Sequence, residues 1–415
     1  MSTFDIDEKF AKGEWDLGWR VVFAAALGVG TSWMFFQNIA GLFVIPMQAE
    51  FGWSRSAVAI GPLGALISIA FYPAAGALID RFGPRKMALI GLTMLSLGFV
   101  MLSAVPARPV IFYGAMLYVS IAGAISNPIV FGKCIATWFT KRIGTAIGIM
   151  QTGVTIATVV SFPFLAALIA RHGWRAGFLA IAGIVAFGGI PICILWLRAR
   201  PPFSVGADNT PLAADLSFRD SIRDRRFRLL IAAFGVAALP IGGFLSQLQP
   251  LLIGSGISPG TAAAFGSLFV FCVGAGRVIV GMLFDRKRPA RVAAGSFAIS
   301  ALGALLLAPT ARGVHLGIVE IAAVAMIGIA QGAESDYVSF FTARIFGLRS
   351  FSRLVGVFSM VVGGGMAIGG FVFTAIYDHF HQYIAAVLGC VAMYVMAALL
   401  FMTIEVAPLP EMERA

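Results

Sequence analysis

One arginine carries the strongest chemical signal in this chain. Arg277 is the only charged residue in the apolar run 261–284. It sits about five residues, roughly 7.5 Å of helix rise, from the centre of that run. A permanent charge at such depth in an apolar segment is costly and marks a functional or paired group. Its planar fork can hold a carboxylate through two parallel hydrogen bonds. Two acids follow in Gln331-Gly-Ala-Glu334-Ser-Asp336-Tyr337. Two residues apart on a helix, Glu334 and Asp336 point about 200° apart, so only one of them faces a given neighbour. Glu334 shares a face with Tyr337, three residues on. Burial disfavours an ionised carboxylate and a nearby guanidinium favours it. An acid balanced between the two can take up and release a proton. Glu334 is therefore read either as a proton-coupling or gating group or as the structural partner of Arg277, with Asp336 as the second candidate.

Other polar residues fall in apolar stretches. Gln37, Asn38, Asn127 and Gln151 could orient a polar solute, or bond across helices. Lys133 lies eight residues before Lys141 and reads as a side chain snorkelling to water. Trp33, Phe35, Phe36, Phe340, Phe341 and Phe358 either line an apolar pocket or face lipid. The four histidines (172, 315, 379, 381) fall at the ends of apolar runs, as ordinary loop residues or pH-sensitive ones. Four cysteines lack metal-ligand spacing and read as small core residues. No phosphate-binding glycine string and no nucleophile triad in a water-accessible domain is present, which disfavours an ATP-driven pump or an enzyme, and neither cofactor nor metal is expected.

The elements that must position these groups are membrane helices. Of the 415 residues 59% are hydrophobic and 12% charged, about half the charge of a soluble domain. Apolar runs of about 20 residues, enough to cross about 30 Å of hydrocarbon, recur twelve times. They lie near 19–46, 56–79, 87–105, 109–138, 142–170, 175–197, 228–252, 261–284, 291–310, 315–343, 354–377 and 383–404. The domains follow: a cytoplasmic segment 1–18, a six-helix bundle 19–197, a linker 198–227 with Pro201, Pro202 and a basic run, a second bundle 228–404, and a tail 405–415. Nineteen Lys and Arg fall in the connections on the side of the N-terminus and five on the other side. That bias places both termini in the cytoplasm of a plasma or bacterial inner membrane. It explains the net charge of +11 as topology and removes the case for nucleic acid. Spans 3, 6, 9 and 12 carry no acid or base in their interiors, so the polar residues cluster on the other spans.

A repeat divides the chain. Gly76-Ala-Leu-Ile-Asp80-Arg81 precedes a basic cluster with Arg85 and Lys86, and Gly281-Met-Leu-Phe-Asp285-Arg286 precedes another, 205 residues later. Two six-helix halves with matching strings indicate a duplicated transporter fold. The first string resembles the loop signature of the major facilitator superfamily. The resemblance implies an all-α membrane fold of twelve helices in two pseudo-symmetric bundles, with spans 1, 4, 7 and 10 lining a central cavity. It also implies a conformational latch made by Gly76, Asp80, Arg81, Arg85, Gly281, Asp285 and Arg286. There the Asp faces the N-terminus of a neighbouring helix and an Arg pairs with a carboxylate. Glu14, Gly18 and Trp19, with Trp138-Phe139-Thr140-Lys141-Arg142 and Gly148, resemble the monocarboxylate-porter branch, which includes oxalate–formate exchangers. Arg277-Val-Ile-Val-Gly281 is similar to that branch's eighth-span Arg-x-x-x-Gly. The branch's Asp four residues earlier is Val273 here, and its first-span Lys is absent.

The expectation is a carrier for a small organic carboxylate, using alternating access and a proton gradient. Arg277 would hold the anion, Gln37, Asn38, Asn127, Gln151 and Tyr337 would shape its site, and Glu334 with Asp336 would couple protons. The lipid bilayer is the expected environment and a monomer the working unit. Anion exchange is the second choice, a drug or metabolite exporter of the same fold the third. A membrane sensor is disfavoured by the short tails.

Overall fold

The computed structural model describes residues 3–53, 60–198, 216–315, 317–332 and 334–404. All regular structure in them is helical. This follows from the solvent, because a chain crossing hydrocarbon must satisfy its backbone polar groups internally. Large apolar side chains point outward, among them Phe187, Phe271 and Phe371 at 86%, 74% and 73% exposure. Lipid tolerates this surface and water does not.

The chain forms two units, Met1–Asp215 with Gly347–Val357, and Leu216–Phe346 with Phe358–Ala415. In the first, α1 (Thr3–Gly30), α2 (Trp33–Ile39) and α3 (Gly41–Phe51) follow one another. A bend of 42° separates α1 from α2, where Ser32 caps the new helix through the Met34 amide at 3.3 Å. Then come α4 (Ile60–Phe82), α5 (Pro84–Ser103), α6 (Pro109–Ile125) and α7 (Pro128–Ala136). The fourth crossing breaks between α6 and α7. Asn127 is extended there, Pro128 starts the new helix, and the Asn127 Oδ1 accepts from the Ile129 amide at 2.8 Å.

Helix α8 (Ile143–Gly183) continues through a π turn into α9 (Ile190–Trp196). This 54-residue run is about 80 Å long at 1.5 Å per residue, far more than one bilayer. It holds two crossings, because Gly173 at φ 81°, ψ 168° interrupts it. Ten helical runs are long and apolar enough to cross a membrane, and the bent α1–α2 pair makes eleven. Dividing the long run at Gly173 brings the described crossings to twelve.

The second unit holds α10 (Phe218–Arg223), α11 (Arg225–Gly254), α12 (Pro259–Arg286), α13 (Pro289–Leu307), α14 (Ile318–Gly332), α15 (Glu334–Phe346), α16 (Phe351–Phe380) and α17 (Ile384–Met402). The start of α16 groups with the first unit. Helix α12 packs on α14, and α13 packs on both α14 and α17. The core is aromatic, with Phe284, Phe297, Tyr337, Phe341 and Phe401 in mutual ring contact. Trp33, Phe35, Phe36, Phe340, Phe341 and Phe358 are all buried within their units. Neither a pocket lining nor a lipid face describes them: they are packing residues. Residues 199–215 of the linker, with Pro201 and Pro202, and the tail 405–415 lie outside the described residues.

Candidate functional site

Arg277 owes its position to two glycines. A Cβ on Gly276 would overlap the Ile329 carbonyl, and one on Gly332 would overlap the Val273 carbonyl. Without side chains there, the backbones of α12 and α14 touch. The Arg277 Nε then donates to the Gly332 carbonyl at 3.2 Å. The side chain is half-buried, on an otherwise uncharged crossing. The charge acting on it is that of Asp336. Asp336 is the acid that acts on Arg277, and both acids lie within electrostatic reach of Tyr337, with Glu334 also reaching Tyr394. Glu334 is 4% exposed, and its Oε1 has no hydrogen-bond partner among the described residues. Beside it in sequence, Gln331 is also buried, with neither amide atom bonded. The Tyr394 hydroxyl is likewise unbonded, whereas the Tyr337 hydroxyl has Ser296 beside it. Tyr337 is wholly buried against Phe284 at 4.9 Å and Phe297 at 5.8 Å. The second unit thus contains two polar groupings on one helical run: a charged one at Arg277 and Asp336, and an uncompensated acid among tyrosines at Glu334.

The first-unit candidates scatter. Asn38 is exposed and donates to the Thr158 hydroxyl at 3.2 Å, with Gln37 half-buried beside it. Gln151 is buried on α8. Asn127 spends its carbonyl oxygen on capping α7, and its Nδ2 has no bonded partner.

Of the residues that the resemblance assigns to a latch, Gly76 and Asp80 meet the start of α16. Asp80 accepts from the Ser352 amide at 3.0 Å and the Arg353 amide at 2.9 Å. These are the first-turn amides of α16, where the helix dipole favours an anion. Gly76, one turn earlier, permits this: a Cβ would overlap the Ser352 carbonyl. The cation on Asp80 is Lys133 of α7, in an ion pair whose side chains are 10% and 13% exposed. Lys133 therefore does not snorkel to water; it turns inward to a carboxylate. Arg81 lies over the Phe82 ring at 5.3 Å, and Arg85 donates to the Ile194 carbonyl at 2.7 Å. The carboxylate pairing that the resemblance gives to an Arg is made here by Lys133. In the second copy Gly281 is buried, Asp285 half-buried and Arg286 exposed.

The two remaining strings that carry the resemblance interlock. Glu14 Oε1 accepts from the Thr140 amide at 3.1 Å, the Thr140 hydroxyl at 2.7 Å and the Lys141 amide at 3.2 Å. Its Oε2 accepts from the Arg142 amide at 3.3 Å. Trp15 packs edge-on to Phe139 at 5.0 Å. At the opposite ends of these helices, Glu50 accepts from the Trp174 indole at 2.6 Å and pairs with Arg175. The hydrogen bond from Arg175 holds the Glu50 carboxyl below its ordinary value. In the second unit buried Glu320 accepts from the Thr310 hydroxyl at 2.9 Å and lies 3.1 Å from His315. Nothing in the local sequence marks Lys133 as the partner of Asp80, which is 53 residues away.

Residues 22–342 match the Major Facilitator Superfamily. The chain is 26% identical over 356 residues to the oxalate:formate antiporter of Oxalobacter formigenes, covering 82% of this chain and 80% of that one. It is 25% identical over 377 residues to monocarboxylate transporter 4 of Rattus norvegicus, covering 87% and 77%. Among solved structures a variant of the E. coli fucose:proton symporter superposes with a TM-score of 0.70, over 94% of this chain and all of that one, at 14% identity. That likeness concerns the fold. With a match over most of its length, twelve apolar crossings and the repeated Gly-x-x-x-Asp-Arg string, the chain belongs to the Major Facilitator Superfamily.

Proposed function

We propose that this transporter carries a small organic carboxylate by alternating access, coupled to protons, with Arg277 as the anion-binding group. The observation that carries the reading is the half-buried guanidinium on an otherwise uncharged crossing, donating to the Gly332 carbonyl and answered by Asp336. A substrate carboxylate meeting that fork gains charge-assisted bonds in a low-dielectric setting. Glu334 is the proton group: enclosed, with an unbonded oxygen, it is stable there as a neutral acid and costly as an anion. Asp80, with Lys133 and the first turn of α16, latches one access state. The basic connections face the cytoplasm, and the monomer is the working unit.

The relatives' names support the substrate class, since an oxalate:formate antiporter and a monocarboxylate transporter both handle small carboxylates. The antiporter's likeness over four-fifths of its length favours anion exchange as a second reading. Proteoliposomes separate the two. Under proton symport, an imposed pH gradient alone drives accumulation of a labelled carboxylate, and Glu334→Gln abolishes this while sparing counterflow. Under exchange, only preloaded anion drives uptake. Transport of amines or neutral drugs with no carboxylate uptake in either mode would remove the proposal.

A further inference from the structure

The basic string after α4 does more than latch. Arg85 and Lys86, in the first turn of α5, and Arg198, two residues beyond α9, line one groove of about 530 Å³. Among the described residues no acid lines it, while Phe82 and Leu89 form an apolar wall. The groove is built. The Trp138 indole donates to the Arg198 carbonyl at 2.6 Å, and Arg85 to the Ile194 carbonyl at 2.7 Å. The first bond holds the backbone of Arg198, and the second holds the Arg85 side chain against the end of α9. The Nε of Arg85 is buried and unbonded.

Its depth is set by the helices. Helix α5 has 20 residues, about one hydrocarbon thickness, so its first turn lies at a membrane surface. Trp19 and Trp196, in contact at 5.7 Å, lie at the same end of the unit as Arg198, and tryptophan favours the headgroup level. Three cations without a counter-charge among the described residues, beside an exposed aromatic ring, at headgroup depth, match the two halves of a phospholipid. A soluble anion would use the cations and leave the apolar wall uncovered, where Phe82 is 51% exposed although Arg81 lies over its ring.

We propose that this groove seats the phosphate of an anionic phospholipid on Arg85, Lys86 and Arg198, with an acyl chain along Phe82 and Leu89. The repeat supplies a comparison within the same chain. The second unit has a groove of about 440 Å³ between α13 and α17, lined by Ala294, Ala298, Val395 and the single cation Arg291. Lys86 and Arg291, like Leu89 and Ala294, are 205 residues apart, the spacing of the Gly76 and Gly281 strings. By the same register Lys287 and Arg288 stand where the first half has Phe82 and Gly83, so the second groove is lined by one cation and no aromatic ring, whereas the first is lined by three cations beside Phe82.

The test is native mass spectrometry of delipidated protein titrated with phosphatidylglycerol or phosphatidylcholine. Each basic side chain at an anionic surface contributes a factor of about five. Wild type should retain phosphatidylglycerol over phosphatidylcholine. Lys86→Gln with Arg198→Gln should weaken phosphatidylglycerol about thirtyfold, whereas Lys86→Arg with Arg198→Lys should keep it. Arg291→Gln should leave it within about twofold. If the double variant does not fold, each single variant is read, at about fivefold. Equal retention of both lipids by wild type, undiminished phosphatidylglycerol on the folded variants, or its displacement by equimolar glycerol phosphate would overturn the proposal.

Discussion

The Asp80–Lys133 pair makes an asymmetric prediction. Asp80 has three partners: the amides of Ser352 and Arg353 and the Lys133 ammonium. Lys133 has Asp80, and its side chain is 10% exposed. Removing the Lys133 charge leaves Asp80 on two amides at a helix N-terminus, a setting that stabilises an anion without a counter-ion. Removing the Asp80 charge leaves a nearly enclosed ammonium with nothing opposite, which costs about 3–5 kcal/mol. Asp80→Asn should therefore destabilise more than Lys133→Met. The double variant should recover part of the loss, because the stranded cation is gone. Melting can be followed with a thiol-reactive dye, since all four cysteines are buried and free and react on unfolding. The order of midpoints should be wild type, Lys133→Met, the double variant, then Asp80→Asn. A double variant no more stable than Asp80→Asn, or a Lys133→Met variant below it, would refute the reasoning. The first result would mean that the ion pair adds nothing to the α16 contact, and the second that Asp80 cannot rest on the two amides without the Lys133 charge.

Three further outcomes follow from the geometry. Glu14→Ala removes the acceptor for three amides and a hydroxyl and should cost about 1.5–3 kcal/mol, seen in the same melt, while Trp15→Phe should cost less. Gly276→Ala forces α12 away from the Ile329 carbonyl and should lower the melting midpoint by an overpacking cost of about 1–3 kcal/mol. Carboxylate binding should weaken with it, as Arg277 leaves Gly332. The Glu50–Arg175 pair predicts a pH effect. The folded carboxyl is held below its ordinary 4.5, so the pair's contribution is complete above that value and is lost as pH falls towards the folded one. The midpoint difference between wild type and Arg175→Gln should be constant at neutral pH and shrink on acidification below 4.5; a difference that grows there would contradict the sign.

Much of the fold was legible because lipid imposes a simple rule. Apolar length counts crossings, and a string repeated at half-chain distance shows duplication. That Glu334 and Asp336 cannot both face one neighbour equally follows from helix spacing alone. What the sequence could not carry were contacts set by close helix approach. Lys133 looks like a snorkelling residue until α4 places Asp80 beside it. Tyr337 looks like a pocket residue, yet Phe284 and Phe297 come from other helices to enclose it. Glu14 and Thr140 each look like polar ends of separate helices, and only the tertiary structure joins them into a clasp. Aromatic residues gave no directional signal at all, because core and lipid faces select the same types.

The central claim is that Arg277 binds the transported anion. It is tested most directly by equilibrium binding of labelled small carboxylates to purified protein, comparing wild type with Arg277→Gln and Arg277→Lys at matched melting midpoints. Binding should be lost in the glutamine variant and weakened by about tenfold or more in the lysine variant, which keeps the charge but lacks the bidentate fork. Undiminished affinity in a folded Arg277→Gln protein would contradict the account.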